Sequence, residues 1–237
     1  MATHRAEVIN ELAHLIIGES CSRTAAVLRV AITGITASGK SILATELVTR
    51  INELGSLCVH LPVDGFHNPR SIRYRRGRDS AEGYYRDAYD YDQLIGRALL
   101  PLGSPDECWY VASVFDLDAD APIEMSPTRL DPGSIVILDA SFLLRPEVRD
   151  YFDYRVFVQT SFEEARARGV RRDAASLGGA DQADRLYRHR YHAAQQIYFA
   201  DARPIRHADA LFLNEQPEEP ALFVRPFAGC SIPCAQA

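Results

Sequence analysis

The sequence predicts an α/β protein in which a mainly parallel five-stranded sheet lies between two layers of helices. Five runs of apolar and β-branched residues have the length of buried strands. They cover residues 27–33, 57–63, 134–138, 154–159 and 208–214. Stretches with helical spacing separate most of these runs, which is the order that parallel βαβ units require. A chain of 237 residues with 47% apolar residues is large enough to bury the core of one such domain.

The composition excludes several classes of protein. The net charge of −6 argues against a general nucleic-acid binder, and no apolar run approaches the length of a membrane span. Residues 1–20 contain acidic side chains and lack a secretory leader pattern, so we expect a cytoplasmic protein. Cys230 and Cys234 have no further ligands at metal-binding spacing, which favours free thiols for the scattered cysteines.

The most specific motif follows the first predicted strand. Residues 34–41 read GITASGKS, which fits the P-loop pattern G-x-x-x-x-G-K-[ST], and a helical stretch begins at Ser41. We expect backbone N–H groups of the loop and the positive end of the helix to bind nucleotide phosphates. Lys40 is the only lysine among 26 basic residues; it would contact the β- and γ-phosphates, and Ser41 would bind Mg²⁺. The predicted nucleotide-binding residues are Gly34, Ala37, Ser38, Gly39, Lys40, Ser41 and Ile42.

Two aspartates follow predicted strands. Asp64 ends the second run and Asp139 ends the third. In an open parallel sheet the ligand lies beyond the carboxyl ends of the strands, so both side chains should lie near the loop. Asp139 completes a Walker B pattern and is predicted to hold Mg²⁺ directly or through water. Asp64 is predicted to accept a proton from a hydroxyl or hold a Mg²⁺-bound water, with an Asx turn as the alternative.

Residues 65–133 form a predicted insert on the substrate side of the sheet. Its first part, residues 69–92, interleaves arginines and tyrosines with carboxylates that would repel nucleic-acid phosphates. We favour a flap over the substrate, because this stretch directly follows Asp64; a solvated surface loop is the alternative. Residues 102–133 are predicted to form a β-hairpin or an arm near the same place.

Arginines flank a glycine-containing break after the fourth predicted strand. They suit a lid that closes over transferring phosphates, and ion pairing with acids one helical turn away is the alternative. The expected organisation is one domain over residues 1–237. Its parts are an N-terminal helix at 1–20, a core at 27–214, and a tail at 215–237 that is either edge structure or a loose segment.

Together these motifs resemble the uridine kinase-like branch of the P-loop kinases, which includes phosphoribulokinase and one type of pantothenate kinase. The resemblance covers roughly residues 27–214 and begins with the loop at 34–41. Asp64-Gly-Phe-His67 stands where the family has an aspartate, a small residue, Phe and Tyr. Asp87-Ala-Tyr-Asp90 stands where it has Asp-Ala-Phe-Asp, and Arg168…Arg172-Asp173 continues the pattern.

The resemblance implies a three-layer P-loop NTPase fold and an ATP-dependent kinase that uses Mg²⁺. By position, Asp64 would be the general base, with Lys40 and Arg168 as the other catalytic residues, and Arg172 would contact ATP. The implied metal-binding residues are Ser41, Asp64 and Asp139. The implied substrate-binding residues are Asp64, Phe66, His67, Tyr84, Tyr85, Asp87, Tyr110 and Arg168.

The implied acceptor is a small molecule, with uridine or cytidine first and a sugar or pantothenate-like alcohol second. Tyr84 and Tyr85 stand where uridine kinases have an acidic residue and a histidine, and Asp139 stands where they have glutamate. A P-loop switch that hydrolyses nucleotide without a small acceptor is the alternative from another class of protein. We expect neither nucleic acid nor membrane as a partner, and the sequence leaves a homo-oligomer open.

Overall fold

The structure is a computed structural model that describes residues 3–22 and 26–226. Its helices, in chain order, are α1 His4–Cys21, α2 Lys40–Glu53, α3 Arg70–Arg73, α4 Ala81–Asp87, α5 Tyr91–Leu94, α6 Leu100–Gly103, α7 Phe162–Asp173, α8 Ala180–Leu186 and α9 Ala193–Ala202. Its strands are β1 Leu28–Gly34, β2 Cys58–Pro62, β3 Trp109–Tyr110, β4 Phe115–Asp116, β5 Ala121–Pro122, β6 Thr128–Arg129, β7 Ile135–Ala140, β8 Tyr154–Gln159, β9 Ala210–Leu213 and β10 Ala221–Val224.

The predicted α/β class is confirmed, but the central sheet has six strands and not five. The strand order is β10-β9-β8-β1-β7-β2, and every neighbouring pair is parallel except β9 with β10. The additional strand comes from the predicted tail. Its residues pair antiparallel with β9, from Ala221 opposite Leu213 to Val224 opposite Ala210, and so cover backbone groups at that edge of the sheet.

The two faces of the sheet carry separate apolar layers, because successive side chains of a strand point to opposite faces. On β7, Ile135 and Ile137 pack with the layer that contains α1 and α2. Val136 and Leu138 pack with the layer that contains residues of α4, α5 and α9. Asp139 continues the first set, so the alternation directs its side chain toward α2, where the P-loop ends.

The insert folds as short antiparallel pairs, as expected of an arm. β3 pairs with β6, and β4 pairs with β5. The tyrosine-rich flap adds α3 and α4. Beyond α7, the turn at 174–179 leads into α8, which continues through the π-helical segment Tyr187–His192 into α9. The flap and the continuous helix from α8 to α9 therefore lie on the same face of the sheet.

Two further expectations concern the membrane and the thiols. Among the described residues, no helix is both long and apolar enough to cross a bilayer. Cys21, Cys58 and Cys108 are free cysteines. The predicted free thiols at Cys230 and Cys234 lie outside the described residues.

Candidate active site

The loop between β1 and α2 has the backbone conformation of an anion cradle. Gly39 has a φ of +93° and Ala37 has a φ of +67°, both in the left-handed region. A Cβ at Gly39 would collide with the amide of Asn214, and a Cβ at Gly34 would lie 2.5 Å from the carbonyl oxygen of Val158. Close packing around the loop therefore requires both glycines, and the left-handed turn also requires Gly39.

A brace from the other end of the chain holds this loop in place. The side-chain amide of Asn214, directly after β9, donates to the carbonyl oxygen of Ser38 over 2.7 Å. The hydroxyl of Thr160, directly after β8, reaches the same oxygen over 3.3 Å. Arg5 of α1 donates to the side-chain oxygen of Asn214 over 3.1 Å. None of these contacts was predicted, because they join residues far apart in sequence.

Lys40 lies at the first turn of α2 with its ammonium group directed into the cradle. Burial lowers its pKa from 10.5 to about 8, although the carboxylates of Asp139 and Asp64 oppose that change. Among the described residues the ammonium makes one long hydrogen bond, 3.4 Å to the carbonyl oxygen of Ile35. The cation is therefore partly desolvated and poorly satisfied, which favours an anion as its partner.

Asp139 is held by hydrogen bonds from both sides. The hydroxyl of Ser41 donates to Oδ2 over 2.5 Å, and Nε2 of His60 lies 2.7 Å from Oδ1. Burial alone would raise the pKa of Asp139, but the hydrogen bonds from His60 and Ser41 and the charge of Lys40 outweigh it and lower the pKa. The carboxylate is thus ionised and oriented beside the hydroxyl that was predicted to share a metal ion with it.

His60 is a site residue that the sequence analysis missed. It lies on β2 opposite Ile137 of β7, two residues before Asp139, and the period of two places both side chains on the α2 face. The sequence feature that could have indicated it is a histidine within an otherwise apolar predicted strand, four residues before Asp64. Its partner could be identified only once β2 and β7 were known to be neighbours.

We give the name acceptor chamber to the neighbourhood of Asp64, His67, Tyr84 and Arg190, in which His67 contacts Asp64 and Arg190 contacts the ring of Tyr84. Asp64 follows β2 in the turn Val63–Phe66, and its side chain is 72% exposed. Nδ1 of His67 lies 2.9 Å from the backbone oxygen of Asp64. Burial, with the charges of Arg73 and Arg190, lowers the pKa of His67, so this ring is neutral at pH 7.

Tyr84 connects the chamber to the P-loop. Burial raises the pKa of its phenol, and the nearby hydroxyls of Thr36 and Ser141 partly oppose this rise. The hydroxyl of Thr36 is buried without a hydrogen-bond partner in the described chain. Asp64 also raises the pKa of Tyr84. A tyrosine therefore occupies the place between the loop and the predicted base, so the structure brings Tyr84 to the candidate site.

A cavity of about 500 Å³ lies beside the P-loop. Its lining contains five of the predicted nucleotide-binding residues, together with Arg168, Arg172, and Arg5 and Asn214 of the brace. These five are Ala37, Gly39, Lys40, Ser41 and Ile42. Ile42 is 62% exposed, so it offers apolar surface at the mouth of this cavity.

Arg168 and Arg172 differ in what they contact. Arg168 makes three hydrogen bonds within the protein, to Glu164 and to the backbone oxygens of Asn214 and Glu215. Its pair with Glu164 is the ion pairing one helical turn away that was the predicted alternative, while its side chain also lines the cavity. Arg172 is paired with Asp173, but its charge acts on Lys40 and it is 64% exposed. Arg172 is therefore placed to reach bound phosphates.

Four predicted substrate contacts lie away from the chamber. Asp87 is buried in an ion-paired group with Arg75 and Arg76, 2.5 and 2.8 Å away. The hydroxyl of Tyr85 donates to Asp201 over 2.8 Å. Phe66 and Tyr110 are buried in the apolar layer on the flap side of the sheet. These residues support the walls of the site, because folding uses their side chains for packing and ion pairing.

The donor set fits Mg²⁺ with nucleotide phosphates better than an all-protein metal site. Ser41, Asp139 and Asp64 offer oxygen atoms, which Mg²⁺ prefers, and Mg²⁺ usually takes only one or two carboxylates from a protein that binds nucleotide. Within residues 3–22 and 26–226, no group of three or more His, Cys, Asp or Glu side chains is arranged to hold a metal ion. Phosphate oxygens and water would have to complete the coordination.

Comparisons with known proteins agree with this geometry. No protein-family model matches the chain. A uridine kinase from Leuconostoc citreum is 27% identical over 158 residues, which span 64% of this chain and 70% of that protein. A solved structure described as a possible uridine kinase from Bacillus stearothermophilus aligns with a TM-score of 0.67 at 22% identity, over 86% of this chain and 97% of that chain. D-glycerate 3-kinase from Cryptococcus neoformans aligns with a TM-score of 0.62 at 12% identity, over 91% and 99%.

The fold is the one that P-loop kinases have, and the relatives found by sequence are kinases. The resemblance to the uridine kinase-like branch is confirmed, with curated uridine kinases as relatives at low identity and P-loop kinases as structural neighbours. Kinases of this type use ATP and typically Mg²⁺ and act on a small-molecule acceptor.

Proposed function

We propose that this protein transfers the γ-phosphoryl group of ATP to a hydroxyl group of a small molecule. The observation that carries the proposal is the convergence of five groups at one end of the sheet. The ammonium of Lys40 lies among the charges of Asp139, Asp64 and Arg172, while Ser41 bonds Asp139. A cation for phosphates, an oxygen pair for Mg²⁺ and a free carboxylate for an acceptor are the parts that phosphoryl transfer requires.

Each side chain has a distinct part in this reaction. Lys40 and Arg172 would bind the phosphates and stabilise charge on the transferring group. Ser41 and Asp139 would hold Mg²⁺, which when bound neutralises charge on the phosphates. Asp64 would accept the proton of the acceptor hydroxyl as that oxygen attacks, and His60 would keep the carboxylate of Asp139 oriented. Because the loop is braced by Asn214, this arrangement needs little reorganisation when nucleotide binds.

For the acceptor we propose two classes of small molecule and not one compound. Uridine is supported by the names of the curated relatives, and cytidine is kept with it as the first expectation from the sequence. A sugar or a pantothenate-like alcohol is supported by the chamber itself, where Tyr84 replaces the acidic residue expected of uridine kinases. Its phenol is a hydrogen-bond donor and acceptor, but it carries no charge at pH 7 to hold a pair of ribose hydroxyls.

The test is ADP release from Mg-ATP with uridine, cytidine, fructose, pantothenate, D-glycerate or ribulose 5-phosphate, or with no acceptor. We expect one class of acceptor to stimulate turnover, and Asp64→Asn to lower kcat by about 10² or more while ATP still binds. A matched control is Asp92→Asn, which changes an exposed aspartate of α5 in the same way. Equal slow turnover in every reaction would contradict the kinase and favour a nucleotide-hydrolysing switch.

A further inference from the structure

Arg190 is a cation beside the acceptor chamber that has no acidic partner in the described chain. It lies in the π-helical segment Tyr187–His192. Two other arginines of this region, Arg166 of α7 and Arg188 of the same π-helical segment, both pair with Asp184. The guanidinium of Arg190 makes no such ion pair with any described residue, and its Nε is buried without a hydrogen-bond partner. A partly buried guanidinium without a carboxylate partner costs free energy in the folded protein, so the position of Arg190 needs an explanation.

Three tyrosine rings hold this guanidinium in place. Its central carbon lies 5.5 Å from the ring centroid of Tyr74, 5.2 Å from that of Tyr84 and 5.4 Å from that of Tyr191. Rings stabilise a guanidinium through its charge and its flat faces, whereas its N–H donors lie in its plane. The three rings therefore surround the group, and its Nε–H has no acceptor among the described residues, which leaves hydrogen-bonding capacity for a planar or tetrahedral anion.

A second arginine lies beside the first. Arg78 is exposed, lies 5.7 Å from the ring of Tyr74, and also makes no ion pair with a described residue. Arg78 and Arg190 line the same cavity of about 440 Å³. Asp79 also lines it, but its carboxylate lies 3.6 Å from Arg185. The cavity thus has two cations whose charge no neighbouring carboxylate neutralises by direct contact.

This positive cavity lies on the acceptor side of the site. The guanidinium of Arg190 lies 5.2 Å from the ring of Tyr84, and both Asp64 and Arg190 act on the pKa of Tyr84 and on that of His67, so the cation and the predicted base lie near the same two side chains. The arginines at the nucleotide cavity are different residues, Arg5, Arg168 and Arg172. A molecule in the chamber could therefore present a hydroxyl to Asp64 and a second group to Arg190.

We propose that Arg190, assisted by Arg78, binds an anionic group of the phosphoryl acceptor, so that the acceptor is an alcohol that also carries a phosphate or a carboxylate. The inference rests on the proposed kinase function and narrows its acceptor. A phosphate and a carboxylate both accept two parallel hydrogen bonds from a guanidinium, so either anion fits Arg190. Uridine and cytidine carry no such group and would leave the cation unpaired.

The first test compares alcohols that differ in the anion. The pairs are pantothenate with pantothenol, D-glycerate with glycerol, and ribulose 5-phosphate with ribulose, each with Mg-ATP. We expect an anionic member to have a kcat/KM at least 10-fold above that of its neutral partner. The first two pairs report on a carboxylate and the third reports on a phosphate. Equal turnover of both members, or turnover of uridine and cytidine alone, would leave the kinase intact and overturn the inference.

Variants of Arg190 separate acceptor binding from other roles. Arg190→Met keeps an unbranched stem among the rings and removes the charge, and Arg190→Lys keeps the charge without the fork. For the anionic acceptor we expect Met to raise KM by about 10- to 100-fold, and Lys to recover part of this loss. The control is Arg188→Gln, which removes an exposed arginine paired with Asp184. If Arg190→Met lowers kcat equally with both members of a pair, Arg190 contacts the transferring phosphoryl group and the inference fails.

Anion binding is also measured without turnover. The protein is first saturated with Mg²⁺ and a non-hydrolysable ATP analogue, so that the P-loop is filled, and inorganic phosphate is then titrated by calorimetry. We expect binding to the wild type and to Arg188→Gln, and at least 10-fold weaker binding to Arg190→Met. Absence of phosphate binding, or binding that Arg190→Met leaves unchanged, would overturn the inference. Failure to bind the analogue would instead count against the proposed function.

Discussion

Lys40 is predicted to destabilise the nucleotide-free protein. Its pKa falls from 10.5 to about 8 because the ammonium is buried. Each pKa unit corresponds to 1.36 kcal/mol, so the protonated group costs the folded state up to about 3 kcal/mol at pH 7. Solvent still reaches part of the residue, which makes this value an upper bound. Bound phosphates would recover the cost by providing the missing counter-charge.

The variant Lys40→Met removes the ammonium and keeps an unbranched side chain. We expect it to raise the free energy of unfolding at pH 7 by up to about 3 kcal/mol and to abolish ATP binding. A lowered lysine pKa costs stability below the folded-state pKa, and the cost disappears as pH rises from about 8 past 10.5. The gain should therefore shrink to about 1 kcal/mol at pH 10.

The assay is urea unfolding of the wild type and the variant without nucleotide, at pH 7 and pH 10. Comparing the two proteins at each pH removes the contribution of tyrosines and other groups that titrate in the same range. Arg171→Met, which changes an exposed arginine of α7, is the control and should alter the free energy of unfolding by no more than about 0.5 kcal/mol. A Lys40→Met protein that is less stable than the wild type, or a gain that does not depend on pH, would refute the reasoning.

Two further predictions concern the loop and the flap. Gly39→Ala should weaken ATP binding and cost at least about 1–2 kcal/mol, because a Cβ at this φ is strained and collides with Asn214. Gly18→Ala, where a Cβ meets nothing within 4 Å, is its control, and equal effects of the two substitutions would contradict the steric explanation. Asp87→Asn should cost about 1–2 kcal/mol at pH 7 in urea unfolding and leave the Kd of ATP unchanged. Burial alone would raise the pKa of Asp87, but the hydrogen bonds from Arg75 and Arg76 lower it below 3.8, so this difference should vanish as pH falls below that value. If Asp87→Asn instead raised the KM of the acceptor without loss of stability, the prediction would be wrong and Asp87 would be a substrate-binding residue.

The P-loop could be predicted from the sequence because eight contiguous residues determine its conformation. Gly39 permits the left-handed turn, Gly34 permits close packing against β8, and Lys40 begins a helix whose apolar spacing is visible in the sequence. The same holds for Asp64 and Asp139, since a strand that ends in an acid places that acid at the carboxyl edge of a parallel sheet. Local patterns therefore sufficed for the α/β class, the phosphate cradle and the two carboxylates.

The flap shows why other site residues could not be predicted. Tyr84 and Tyr85 are adjacent on α4, so their side chains point about 100° apart and only one of them can face the chamber. Tyr85 packs against Phe142 and bonds Asp201, which leaves Tyr84 near the P-loop. Which of the two tyrosines is buried depends on the distant helix that contains Asp201.

The remaining features of the candidate site depend on contacts between segments that are distant in sequence. Asn214 reaches Ser38 across 176 positions of sequence, and His60 reaches Asp139 across 79. Both contacts exist because the strand order makes β9 a neighbour of β8, and β7 a neighbour of β2. The residues themselves thus specify the chemistry of the cradle, which depends on backbone geometry over one turn. The partners that orient Asp139, brace the loop and leave Arg190 without an acid were decided by tertiary packing, because a sequence pattern does not record which strands and helices become neighbours.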